Sequence, residues 1–62
     1  MFKVGIIMLK TFSIDITAES ISETYKIEAE DSYDAKIRAV KQFFFDFGFP
    51  ARLADVENCI EV

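Results

Sequence analysis

Sixty-two residues make one domain, close to the size at which a single core is barely enough to fold a chain. Hydrophobic residues form 52% of it and seven residues are Phe, which excludes a disordered chain, while a net charge of −4 disfavours a phosphate backbone as direct ligand. Histidine is absent and Cys59 is the lone cysteine, so neither a His-dependent catalytic set nor an internal disulfide can be built, and the composition fits a cytoplasmic location.

The chain opens on MFKVGIIMLK, which is β-prone and apolar at nearly every position. It lacks the small-residue cleavage site of a signal peptide, and nowhere does the sequence hold the run of about 18 apolar residues that a membrane span needs. Ile6 and Met8 share the parity of Phe12 and Ile14, which turns Ile7 and Leu9 the other way. Apolar residues on both parities suit a stretch covered on both sides. One reading is a frayed tail, or a bulge near Lys10 that rotates the parity, with Gly5 allowing a close backbone approach. Another places the true start at Met8. The third makes Ile7 and Leu9 an oligomer contact, through strand exchange or edge pairing about a two-fold axis, so that the protein is a homodimer.

From Thr11 the pattern alternates. Phe12, Ile14, Ile16 and Ala18 face inward and Ser13, Asp15, Thr17 and Glu19 outward, as in a half-buried antiparallel strand. Tyr25, Ile27 and Ala29 repeat the inward set, with Thr24, Lys26, Glu28 and Glu30 outward. A short turn near Ser20 and Ile21 would set residue 16 opposite 25 and residue 18 opposite 23. Asp15 then faces Lys26 and Thr17 faces Thr24, both favourable cross-strand pairs.

Asp31 to Gly48, DSYDAKIRAVKQFFFDFG, reads as the one helix. Asp31 can cap it, Asp34 completes a capping-box-like pair, Gly48 suits the left-handed C-terminal position and Pro50 forbids continuation. At about 100° per residue, Tyr33, Ala35, Ile37, Ala39, Val40, Phe43, Phe44 and Phe47 fall on one broad inward side, which Lys36 interrupts. Asp34, Arg38, Lys41 and Gln42 mark the wet side, and Phe45 projects among them. A single exposed aromatic is ordinary. An aromatic flanked by Arg38 and Lys41 also has the make-up of an interface anchor, so these three form a candidate partner-binding helix face. Phe49 is expected to pack back on Phe44 beyond the helix end.

Residues 52 to 62 read as a last strand, with Ala54, Val56, Ile60 and Val62 inward and Asp55, Glu57, Cys59 and Glu61 outward. Asn58 falls on the inward parity and suggests a bulge. The expected fold is α+β: a two-layer ββαβ domain whose three-stranded, largely antiparallel sheet has the order 2-1-3, with one helix on one face.

The sequence offers no Gly-rich phosphate loop, no calcium-loop spacing and no motif partner for Cys59, so an enzyme, a cofactor, a metal and a small-molecule substrate are not expected. Binding to a larger protein is. Asp15, Glu28, Glu30, Asp55, Glu57 and Glu61 form a candidate acidic sheet face. It is either a solvated surface that keeps a small hydrophobic protein soluble or a negative surface that engages a basic groove in place of phosphates.

The stretch TYKIEAEDSYDAKIRAVKQF resembles the strand-to-helix junction of small phage and prophage proteins, among them short acidic inhibitors of the anti-CRISPR or anti-defence kind. The resemblance covers about a third of the chain, is one of pattern, and carries over no functional residue. It implies a phage-type inhibitor of host nucleic-acid-targeting defence machinery that acts by surface binding in the host cytoplasm. The alternative is a regulatory or structural subunit, antitoxin-like or an assembly partner, of a co-encoded protein.

Overall fold

Alternation over nine residues gives strand β1 (Lys10–Ala18) one buried and one half-exposed side, and β1 becomes the middle of the sheet. The computed structural model describes residues 8–62. After β1 come β2 (Ile21–Ala29), helix α1 (Ser32–Phe47), a 3₁₀ turn at Leu53–Asp55 and β3 (Val56–Glu61). β2 and β3 flank β1, each antiparallel to it, and α1 packs against the sheet. This is the α+β, ββαβ arrangement with sheet order 2-1-3 that the sequence predicts.

The hairpin register differs from the expected one by two residues. Ile16 lies opposite Glu23 and Ile14 opposite Tyr25, so the loop shortens to Glu19 and Ser20. Both loop residues have positive φ, 51° and 70°, as a two-residue primed turn requires. Neither is the Gly or Asn that tolerates this conformation best, which is why the sequence does not advertise it. Asp15 consequently faces Thr24 rather than Lys26, and Thr17 faces Ser22 rather than Thr24. The new pairs are satisfied: the Thr24 hydroxyl donates to Asp15 Oδ1 at 2.7 Å, and the Thr17 and Ser22 hydroxyls lie 3.0 Å apart. Because side chains alternate with period two, a shift of two leaves every residue on its expected face.

The helix starts and stops as predicted. Asp31 Oδ1 accepts from the Asp34 N–H at 2.8 Å, and the N–H of Gly48 (φ 80°) donates to the Phe44 carbonyl at 2.8 Å. The reciprocal half of a capping box is missing, because the Asp34 carboxylate turns instead to Arg38 Nε at 2.9 Å. Phe49 meets the Phe43 ring edge-on, with centroids 5.8 Å apart, in place of the expected Phe44.

The buried stripe is narrower than the sequence suggests. Ala35, Ala39 and Phe43 are fully buried and Val40 and Phe47 pack against the core, but Tyr33 and Phe44, expected inward, are exposed. The outer strands of a three-stranded sheet lie about 10 Å apart, roughly one helix diameter, so the sheet covers the stripe beneath the helix axis and little of its flanks. The core is closed by Phe12, Ile14 and Ile16 from β1, with alanines at positions 18, 29, 35, 39 and 51 allowing close approach.

β3 departs most from expectation. Residues 53–55 form the 3₁₀ turn, which leaves Ala54 exposed, and Asp55 Oδ2 accepts from the Arg52 N–H at 2.8 Å. Ile16 pairs with Val56 but Asp15 pairs with Asn58, so Glu57 is the extra residue of a bulge one position before the one expected. Beyond it the parity reverses. Cys59 pairs with buried Ile14 and joins the core from the helix side, whereas Ile60 pairs with Ser13 and is 58% exposed, and Val62 is exposed too. The inward assignment of Ile60 and Val62 and the outward assignment of Cys59 and Glu61 are thereby corrected.

Two outcomes follow for stability. Replacing the turn with E19N/S20G relieves two strained residues, at about 1 kcal/mol or more in total, and should raise the thermal midpoint by several degrees in a circular dichroism melt. F43A removes the largest fully buried side chain at a cost of about 3–5 kcal/mol, comparable to the whole stability of so small a domain. Its melt should show no cooperative transition.

Candidate protein-interaction surfaces

The helix side predicted to be wet is the most distinctive surface. Phe45 is 83% exposed, and Asp34, Ile37, Arg38, Lys41 and Gln42 line the shallow open groove it borders. Phe45, Arg38 and Lys41 are thus brought together on consecutive turns of one rigid helix, as the sequence proposes. The Arg38–Asp34 pair is the one ion pair among the described residues and lies in the open, which limits its worth to a few tenths of a kcal/mol, roughly. Lys41 has no carboxylate within ion-pair distance among the described residues.

Below this face a polar clamp ties α1 to β2. Asp46 accepts from the Tyr25 hydroxyl at 2.9 Å through Oδ2 and from Gln42 Nε2 at 2.9 Å through Oδ1. Burial of the phenol, then the Asp46 hydrogen bond and charge, then the Glu23 charge push the Tyr25 pKa well above the ordinary tyrosine value. Nothing in the sequence pattern marks this pair, since residues 25 and 46 lie on different elements and each is ordinary for its own.

The six proposed acidic residues do not form one patch. The outer sheet face carries Asp15 and Glu28, along with Lys26. Asp15, at the centre of that face, takes a second hydrogen bond from Asn58 Nδ2 at 3.3 Å, so its carboxylate is tied into the sheet. Glu57 stands at the bulge beside the groove formed by Asp15, Thr17, Ser22 and Thr24. Glu30 lies in the connection between β2 and α1, and Asp55 is held in the 3₁₀ turn. Glu61 pairs with Phe12, which puts it on the helix-side parity. Of the proposed oligomer contacts, Leu9 is 55% exposed just before β1, and Ile7 lies outside the described residues, as do Gly5 and Ile6.

Sequence reasoning missed the exposure of Tyr33 (64%) and Phe44 (53%) by assigning them to the core. The available signal was the width of the apolar arc, which exceeds the stripe of about 100° that one supporting layer covers. Among the described residues there is no group of three or more potential metal ligands, and no helix is long and apolar enough to cross a membrane.

No protein-family model matches the chain, and neither a curated protein nor a solved structure matches it.

The Tyr25–Asp46 clamp sets a pH dependence. A folded-state pKa raised above the unfolded value of about 10 contributes stability that is complete below that pH and is lost as pH rises. Melting midpoints should therefore fall in strongly alkaline solution, and Y25F should flatten that fall while lowering the midpoint at neutral pH.

Proposed function

We propose that this chain is a non-enzymatic protein-binding module that engages a larger protein through the Phe45, Arg38 and Lys41 face of α1. The observation that supports it is the exposure of Phe45, 83%, on the polar side of a capped helix, next to two cations of which one is without an ion-pair partner among the described residues. An aromatic ring on a rigid helix loses little conformational freedom on docking, and Arg and aromatic side chains are the residue types on which interface energy concentrates.

The concrete role is that of a phage-type inhibitor of host nucleic-acid-targeting defence machinery. Small size, net negative charge and the resemblance of residues 24–43 to phage-type junctions support it. In this role the helix face anchors the complex. Glu28 and Glu57, both exposed, supply long-range attraction to a basic nucleic-acid groove.

The test is protection. Expressed in bacteria that carry a set of RNA-guided or restriction nucleases, the chain should restore transformation by a targeted plasmid under at least one of them. F45A should lose that protection while keeping its melting midpoint. E28K/E57K should slow association of the purified chain with the nuclease so identified, chiefly at low salt, because steering charges act on encounter rate. Absence of protection throughout, with stable co-purification of a co-encoded protein, would replace this reading with that of a regulatory subunit.

A further inference from the structure

We propose that a second face of α1, adjoining the Phe45 face, is a self-complementary seam on which a second copy of this chain docks with its helix antiparallel to the first. Beside the buried row Ala35, Ala39 and Phe43 runs another row, Tyr33, Ile37, Val40 and Phe44. Its spacing of four, three and four residues is the one with which a helix presents a continuous apolar stripe to another helix. Tyr33 and Phe44 are mostly exposed, Ile37 is half-exposed and outside the core cluster, and Val40 packs against the core while remaining only partly buried. One sheet has already claimed the buried row, so this stripe is available to a second helix.

The charges bordering the stripe identify the occupant and its direction. Asp34 and Lys41 lie seven residues apart along one border, and Lys36 lies on the other. In an antiparallel pair with Ile37 against Val40 of the second copy, Tyr33 falls against Phe44, and the two-fold axis repeats both contacts to give four apolar layers. Like borders meet in that arrangement, and the same register sets Asp34 of each copy beside Lys41 of the other, twice. Arg38 engages Oδ2 of Asp34, which leaves Oδ1 for this second cation. A parallel pair would instead bring Lys36 of each copy to Lys41 of the other, two repulsions in place of two attractions. The helix thus carries, within residues 33–44, both halves of a complementary surface. Phe45 points more than a quarter-turn away from the stripe, so the dimer keeps two such anchors exposed on one side, about 20 Å apart along the helix axes at about 1.5 Å per residue.

Sedimentation equilibrium on the full chain tests this by charge exchange. The wild type should self-associate with a dissociation constant in the micromolar range. D34K alone and K41D alone should each weaken association by roughly tenfold or more, because each places like charges together twice. Mixed in equal amounts, the two variants should associate about as well as the wild type, since the cation introduced at position 34 meets the anion introduced at position 41 and the remaining Asp34 meets the remaining Lys41. F44A, which deletes two of the four layers, should weaken association, and F45A should not. Far-ultraviolet circular dichroism establishes that each variant is folded. A wild type that stays monomeric, single variants that associate as the wild type does, or a mixture no better than its components would each overturn the proposal. The second of these outcomes would return the contact to the segment around Leu9. Protection by the chain is read separately, so loss of the dimer and loss of the inhibitory role are distinguishable.

Discussion

The width of the sheet governs this molecule. Three strands give a platform about as wide as one helix, so α1 can bury only the stripe directly beneath its axis. That stripe is Ala35, Ala39 and Phe43, set on Phe12, Ile14 and Ile16. With alanine at two of the three helix positions, the backbones approach closely and a single ring, Phe43, fills the centre. Every other apolar residue of the helix must find cover at the margin or remain in water. Phe47, and Phe49 just beyond the helix end, find it by setting their rings against Phe43 at a tilt and edge-on. Tyr33, Phe44 and Phe45 do not find it within the described residues. The surfaces proposed above for binding are what a narrow sheet leaves uncovered.

Much of the architecture was legible because local signals and global packing agree. The alternation from Phe12 to Ala18 announces a half-buried strand, and Asp31 and Gly48 mark the helix ends within a residue. The hairpin register was not legible, because Glu19 and Ser20 adopt a conformation for which neither carries the usual signature. Their strain is offset by the pairing of two nine-residue strands along their full length. β3 was misread for a different reason. Its bulge at Glu57 reverses parity, so the residues that look apolar by alternation, Ile60 and Val62, turn out to water while Cys59 turns in. A period-two pattern cannot report an inserted residue that breaks the period.

The candidate surfaces divide along the same line. The Phe45, Arg38 and Lys41 face could be read from sequence because a helix fixes the relative direction of every side chain. The acidic face could not, because it assumed one parity across three strands and β3 changes parity midway. Its carboxylates separate into Asp15, held by Thr24 and Asn58, Asp55, held in a turn, and Glu61 on the other side of the sheet. Lys41 sits where the Phe45 face and the Tyr33–Phe44 stripe adjoin. It is the residue that the proposed self-association and the proposed partner binding share.

The central claim is that the outer side of α1, rather than the outer side of the sheet, is where this protein meets other molecules. Amide nitrogen–proton correlation spectra recorded along a dilution series test it residue by residue. The account predicts concentration-dependent shifts at Tyr33, Ile37, Lys41 and Phe44, with the amides of Ser13, Lys26 and Asn58 unmoved. Shifts confined to β1, β2 and β3, with α1 silent at every concentration, would contradict it.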